Sequence, residues 1–176
     1  SINQLKEHPF NKEVFRDLSP EEMGELKESI ELLGQLEPLA VVPDGDNEYL
    51  IISGHQRKRA MEELGKVSVA VNVLSYTEEE QKSAIIHANI KQRKLSDVEL
   101  AKAIKIDKAL LQEKRKKARE GDVEEKVEKG RAIELTARRL GINVSTAKRL
   151  DRLNHLTSDL FEQVEKKELS LGKAQV

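Results

Sequence analysis

The chain has 176 residues, enough for one large domain or two small ones, with 38% hydrophobic and 36% charged residues and a net charge of −1. Cysteine is absent, which excludes disulfides, thiolate catalysis and cysteine-ligated zinc, and the four histidines are too scattered to mark a metal cluster. No apolar run reaches the ~18 residues of a membrane span and none lies near the N-terminus, so the expected compartment is the cytoplasm.

In chain order, Ile2 and Leu5 fit a short opening strand ahead of His8-Pro9. Ser19-Pro20-Glu21-Glu22 predicts a helix start: the serine caps, proline suits the first helical position, and Glu22 completes a capping box. Met23, Leu26, Ile30 and Leu33 fall on one face of that helix, and Gly34 ends it. Leu39 to Val42 and Tyr49 to Ile52 are apolar runs joined by Pro43-Asp44-Gly45-Asp46-Asn47, a hairpin signal. Past Gly54, Gln56 to Leu64 reads as a helix stopped by Gly65, and Val67 to Leu74 is β-rich. Beyond Val73 the pattern turns helical. Thr77-Glu78-Glu79-Glu80 and Ser96-Asp97-Val98-Glu99 are capping boxes that open helices over Glu78 to Asn89 and Asp97 to Ala118. Arg119 to Lys129 alternates charge with almost no apolar content and reads as an exposed linker. The expected organisation is an α+β N-terminal domain over residues 1–95 and an all-α domain over 96–176.

Two segments carry chemistry. In Tyr49 to Ala60 a strand hands over to a helix through Ser53-Gly54-His55-Gln56-Arg57-Lys58-Arg59. A helix N-terminus leaves N–H groups unpaired and partially positive, a glycine lets a phosphate approach the backbone, and an arginine adds a planar fork of donors. On spacing alone, an ordinary strand–helix turn with solvated arginines fits as well.

The second segment runs from Leu135 to Leu153. Ala137, Gly141, Ala147 and Leu150, at successive offsets of four, six and three, match a helix-turn-helix near 133–155. Its features are a small residue at a helix crossing, a glycine in the turn and apolar anchors on the second helix. Leu140, Ile142 and Val144 supply neighbouring core, and the second helix is expected from about Ser145 to His155. Between Arg131 and Leu153 six cations (Arg131, Arg138, Arg139, Lys148, Arg149, Arg152) face two acids (Glu134, Asp151), a locally basic module in a neutral chain. Asn143, Ser145 and Thr146 are candidates for base edges or phosphate, and Lys148, Arg149 and Arg152 for groove or backbone contact with duplex DNA. A plain αα-hairpin with charged faces is the alternative. The preceding helix is basic too, through Lys102, Lys105, Lys108, Lys114, Arg115, Lys116, Lys117 and Arg119. A solvated face opposite Ala103, Ile104, Leu110 and Leu111 accounts for it as well as phosphate contact does.

Ser53 to Ala60 resembles the glycine–arginine motif of the ParB/sulfiredoxin superfamily, which usually reads Gly-Glu-Arg-Arg-x-Arg-Ala in ParB partition proteins. Leu26 to Val42 is similar to the first ParB box, Asn89-Ile90-Lys91-Gln92-Arg93-Lys94-Leu95-Ser96 to the third, and Lys167 to Ala174 to the stretch after the DNA-reading helices. The boxes stand in order along nearly the whole chain. The resemblance implies a ParB/sulfiredoxin-like α+β domain followed by an all-α helix-turn-helix domain. It also implies a CTP and magnesium site in which Gly54, Arg57 and Arg59 meet phosphates and Asn89 the metal. His55, Gln56, Gln92 and Arg93 complete the nucleotide-binding set on the same ground.

His55-Gln56 stands for the usual Glu-Arg, Glu37 for a glutamine before proline, and Ala88 for a metal-binding and hydrolytic glutamate. Because magnesium prefers hard oxygen ligands, the expectation is nucleotide binding rather than hydrolysis. The role implied is plasmid, chromosome or mobile-element partition, or transcriptional regulation, on the nucleoid. The partners implied are duplex DNA, a second copy, joined through a C-terminal region this chain does not reach, and an ATPase. The rival reading is a nucleotide-dependent enzyme of the superfamily, a small-molecule kinase or nuclease, with His55 as acid or base. Sulfiredoxin chemistry is excluded, since it needs a cysteine in this turn.

Overall fold

A computed structural model of the chain describes residues 1–121 and 129–156, with residues 160, 163, 164, 166 and 168. The middle of the expected linker (122–128) and most of the stretch from Lys167 to Ala174 lie outside the described residues. The chain divides into two units, Ser1–Gln92 and Arg93–Val176.

In the first unit a 3-10 turn, Ile2–Gln4, leads into β1 (Leu5–Glu7), α1 (Pro9–Val14), α2 (Pro20–Leu33), β2 (Leu39–Pro43), β3 (Tyr49–Ser53), α3 (His55–Glu63), β4 (Val71–Val73) and α4 (Glu78–Gln92). The strands form one mixed sheet in the order β1-β3-β2-β4. β1 runs parallel to β3, β2 antiparallel to β3, and β4 parallel to β2. Adjacent residues point to opposite sheet faces, yet Val41 and Val42, and likewise Ile51 and Ile52, are all buried. Both faces of the central pair are therefore covered, which is why these strands read as unbroken apolar runs rather than alternations. Leu5, Leu39, Val41 and Ile51 form one core cluster, and Ile2, Met23, Ile30, Ala60 and Met61 another between α2 and α3.

The capping box at Ser19 forms as the sequence predicts: Ser19 Oγ accepts from Glu22 N at 3.2 Å, and Glu22 Oε2 accepts from Ser19 N at 2.7 Å. Leu33, expected on the inward face, is exposed in the last turn of α2. The β-rich stretch at 67–74 yields only three strand residues. The Ala70 carbonyl accepts instead from Leu39 N at 3.0 Å and Gln35 Nε2 at 2.8 Å, and Ile2 N donates to the Val67 carbonyl at 3.1 Å. α1 has no counterpart in the sequence reading. Its cap is His8, whose Nδ1 accepts from Phe10 N at 3.2 Å, outside the usual Ser/Thr/Asp/Asn signature.

The second unit contains α5 (Asp97–Glu120), α6 (Ala132–Arg139), α7 (Val144–Asp151) and a 3-10 turn, Arg152–His155. A capping box at Ser96 opens α5, and Gly121 closes it in the left-handed region at φ 82°. Ala101, Ala103, Ile104, Asp107 and Leu111 of α5 are buried. α6 and α7 pack on α5 and on each other, crossing where Ala137 and Ala147 are fully buried among Leu135, Leu140, Leu150 and Leu153. α7 ends at Asp151, and the four residues after it tighten into a 3-10 turn instead of carrying the α-helix on to His155. Among the described residues no helix is long and apolar enough to cross a membrane.

Candidate functional site

Gly54 joins β3 to α3 at φ 100°, ψ 22°, and α3 starts with no side-chain cap. A Cβ at this position would stand 2.3 Å from Leu39 Cδ2 and 3.3 Å from Arg57 Nη2, so the turn is closed to any side chain. Gln92, at the end of α4, donates from Nε2 to Ser53 Oγ at 3.0 Å, which brings the third sequence box to the edge of the turn. One helical turn earlier, Asn89 Nδ2 donates to Asn11 Oδ1 at 3.2 Å and to the Ile85 carbonyl at 3.0 Å.

The cations of α3 are engaged by acids that the sequence reading did not connect to them. Arg57 Nη1 donates to the Glu37 carbonyl at 2.7 Å and lies 3.6 Å from Glu37 Oε2. Arg59 reaches Glu7 at 3.2 Å and Asp17 at 3.0 Å, and Gln56 Nε2 donates to Asp17 Oδ1 at 3.1 Å. Burial pushes the Glu7 and Asp17 carboxyls up. Hydrogen bonds from Lys12 and Arg59 to Glu7, and from Arg59 and Gln56 to Asp17, outweigh it and hold both below the ordinary carboxylate range. Glu7 sits in a three-residue strand and Asp17 outside any element, so periodicity could not link either to α3.

His55 is buried, with 6% of its surface exposed, and its Nε2 has no hydrogen-bond partner. Burial pushes its pKa down to about 4, against the opposing charge of Glu7 and a hydrogen bond with the Ile51 backbone. The ring is neutral near pH 7. Since the folded value lies below the ordinary 6.5, stability from the neutral ring is fully present above pH 6.5 and is lost as pH falls through about 4. The shift corresponds to about 3 kcal/mol. Denaturant unfolding should therefore show a drop in stability between pH 6.5 and 4 that His55→Gln removes. Equal slopes in both proteins would mean that other groups carry the acid sensitivity.

Gly54, His55, Gln56, Arg57 and Arg59 thus cluster at the start of α3, with Gln92 against Ser53 and Asn89 against α1. Arg93 belongs to the second unit, where Nη2 donates to Glu99 Oε1 at 2.7 Å. An uncapped helix start, a bare glycine and nearby guanidinium groups fit an anion. The donor set does not fit a protein-built magnesium cage. Among the described residues no group of three His, Cys, Asp or Glu can hold a metal, and Ala88 offers no oxygen ligand.

In the second unit, Gly141 turns the chain between α6 and α7 at φ 66°. Asn143 caps α7: its Oδ1 accepts from Ser145 N at 2.8 Å and from Ser145 Oγ at 2.7 Å, so these two candidate residues are bonded to each other. Ala147 and Leu150 face inward, Thr146 is half-buried, and Lys148, Arg149 and Arg152 are exposed. Arg149 lies 3.6 Å from Asp97, whereas no ion pair ties Lys148 or Arg152 among the described residues. The sequence reading missed Asp107, which is fully buried and accepts from Thr136 Oγ1 at 2.8 Å. The signal was present: position 107 falls at helical spacing with Ala103, Ile104 and Leu111.

Fold and turn together define an α+β module with an anion-receptive glycine turn, joined to a helical unit. Residues 1–90 match the ParB N-terminal domain, and the chain belongs to that family. It is 35% identical over 89 residues to a probable chromosome-partitioning protein ParB of Pseudomonas putida, covering 51% of this chain and 31% of that protein. It is 30% identical over 166 residues to the chromosome-partitioning protein Spo0J of Thermus thermophilus, covering 94% of this chain and 54% of the relative. The chain thus spans between about a third and a half of these relatives. Two solved structures share the fold. The C-terminally truncated ParB of Caulobacter crescentus, complexed to the centromeric parS site, has a TM-score of 0.65 at 24% identity, covering 99% of this chain and 80% of that one. A Pnob8-like ParB-N domain has a TM-score of 0.68 at 20% identity, covering 99% and 76%.

Proposed function

We propose that this chain is a DNA-binding partition protein whose N-terminal unit takes CTP at the glycine turn and whose α6–α7 pair is a helix-turn-helix that binds duplex DNA. The observation that carries the DNA half is the arrangement of α7. Ala147 and Leu150 seat the helix against its neighbours, and Lys148 and Arg149 in its C-terminal half and Arg152 in the turn after it stand in solvent. Exposed cations beside a helix seated by small residues at a glycine-turned crossing suit phosphate contact, while the N-terminal residues Ser145 and Thr146 stand where a major-groove reader meets base edges. The similarity to the Thermus protein, which runs through this region, supports the same reading. Homodimerisation and an ATPase partner belong to the proposal as what the ParB resemblance implies.

For the nucleotide half, the uncapped start of α3 and the arginines beside it supply donors to phosphate oxygens. Magnesium, when present, arrives with the nucleotide, because no group of three His, Cys, Asp or Glu among the described residues can hold a metal.

Fluorescence anisotropy with labelled duplex across a potassium chloride series tests the DNA half. Binding should weaken linearly on a log–log plot, and Arg152→Ala should lower the slope by about one unit at every duplex sequence. Binding that ignores salt, or no binding at all, overturns the reading. Calorimetry with CTP tests the nucleotide half, where heat that Arg57→Ala abolishes is expected.

A further inference from the structure

We infer that Glu37 is a built-in competitor for Arg57, so that an anionic ligand entering the glycine turn must displace a carboxylate of this chain. The inference rests on the nucleotide reading of that turn. The Arg57 side chain is largely sunk, with 19% exposed, and Nη2 passes 3.3 Å from where a Gly54 Cβ would stand, so the guanidinium lies over the turn itself. Any anion on the α3 N-terminus meets this group. Glu37 already does. Its carbonyl accepts from Arg57 Nη1 at 2.7 Å, and its Oε2 lies 3.6 Å away from the same nitrogen.

The backbone of Glu37 is held in place, which keeps its carboxylate within reach of Arg57. Gln35 Nε2 donates to the same Glu37 carbonyl at 3.1 Å and to the Ala70 carbonyl at 2.8 Å, while Gln35 Oε1 accepts from Ala70 N at 2.7 Å. Pro38 restricts Glu37 to extended conformations, and Leu39 N donates to the Ala70 carbonyl at 3.0 Å. Only the side-chain torsions of Glu37 remain to move.

The carboxylate is 75% exposed, so its pairing with Arg57 adds little to stability. Its charge, however, stands within a few ångströms of any phosphate that Arg57 would hold. Glu37→Gln keeps the carbonyl contact that positions the guanidinium and removes only the charge. Removing a like charge at such range, screened by water, should tighten anion binding roughly 5- to 20-fold.

The test is a calorimetric titration, with EDTA present, of CTP and of inorganic triphosphate into the wild type, Glu37→Gln, Arg57→Ala and the double variant. Glu31→Gln, on the exposed surface of α2, carries the same charge change and controls for net charge. Expected is a gain for Glu37→Gln that is equal for both ligands, absent from Glu31→Gln and lost in the Arg57→Ala background. Wild-type binding that Glu37→Gln leaves unchanged or weakens overturns this inference and leaves the nucleotide reading standing. If neither the wild type nor Glu37→Gln binds CTP or triphosphate at millimolar concentration, both fall.

Discussion

Gly54→Ala should destabilise the first unit by roughly 2–5 kcal/mol and abolish ligand binding at the α3 N-terminus. Two independent costs add. A residue with a Cβ pays about 1–2 kcal/mol for the left-handed region, and Gly54 lies there at φ 100°. The new methyl would also stand 2.3 Å from Leu39 Cδ2. Leu39 is fully buried in the cluster of Leu5, Val41 and Ile51, so it yields only by repacking against them. Overpacking of such a site typically costs a further ~1–3 kcal/mol. Any shift that relieves the clash moves β2 or the start of α3, and with them Arg57 and the loop bearing Glu37. Hydrogen exchange should show the loss locally, as faster exchange of β3 and α3 amides, with α5 to α7 unchanged. A variant that melts with the wild type and still binds CTP would mean that Leu39 repacks freely and that the turn tolerates a side chain.

The elements that sequence reasoning located are those whose determinants are local. Ser19, Thr77 and Ser96 each carry the acceptor and the partner glutamate of a capping box within four residues, and all three form their cap bonds. The hairpin between β2 and β3 is likewise local: Gly45 and Asn47 take positive φ, and Asp44 N donates to the Glu48 carbonyl at 2.8 Å. Apart from α1, whose local cap is made by a histidine, the elements that escaped are set at long range. The brevity of β4 follows from bonds that Ala70 makes to Gln35 and Leu39, and no pattern within 67–74 encodes them. The site divides the same way. The glycine, the arginines and their order were legible, because a strand, a glycine and a helix are contiguous. The state of those arginines was not, because Glu7, Asp17 and Glu37 come from a strand end and two loops.

Asp107→Ala should cost the second unit about 2–4 kcal/mol, the range for removing one partner of a buried charge cluster discounted because Arg139 keeps some solvent. The carboxylate has no exposed surface. Its Oδ2 accepts from Thr136 Oγ1 at 2.8 Å, and its Oδ1 lies 3.2 Å from Arg139 Nη2 without hydrogen-bond alignment. Alanine leaves the buried Thr136 hydroxyl without its acceptor, removes the carboxylate 3.2 Å from Arg139, and opens a void beside Ala103 and Ile104. The triple variant Asp107→Leu, Thr136→Val, Arg139→Met replaces the whole cluster with apolar groups and should recover most of the loss, since buried ion pairs exchanged as a set are near neutral. Far-UV circular dichroism in denaturant reads both, as the chain has no tryptophan to report by fluorescence. Other polar contacts also tie α7 and the 3-10 turn after it to α5: Lys108 to Asp151 at 2.6 Å, Arg149 to Asp97 at 3.6 Å, and Asn154 Nδ2 to the Ala101 carbonyl at 2.8 Å. With the Asp107 tie cut, the pair is held less firmly against α5. On the proposed DNA-binding reading, duplex affinity of Asp107→Ala measured at a temperature where it stays folded should fall, while the salt slope expected from Lys148, Arg149 and Arg152 stays as in the wild type. A stability change under about 1 kcal/mol would show that apolar packing alone orients the pair.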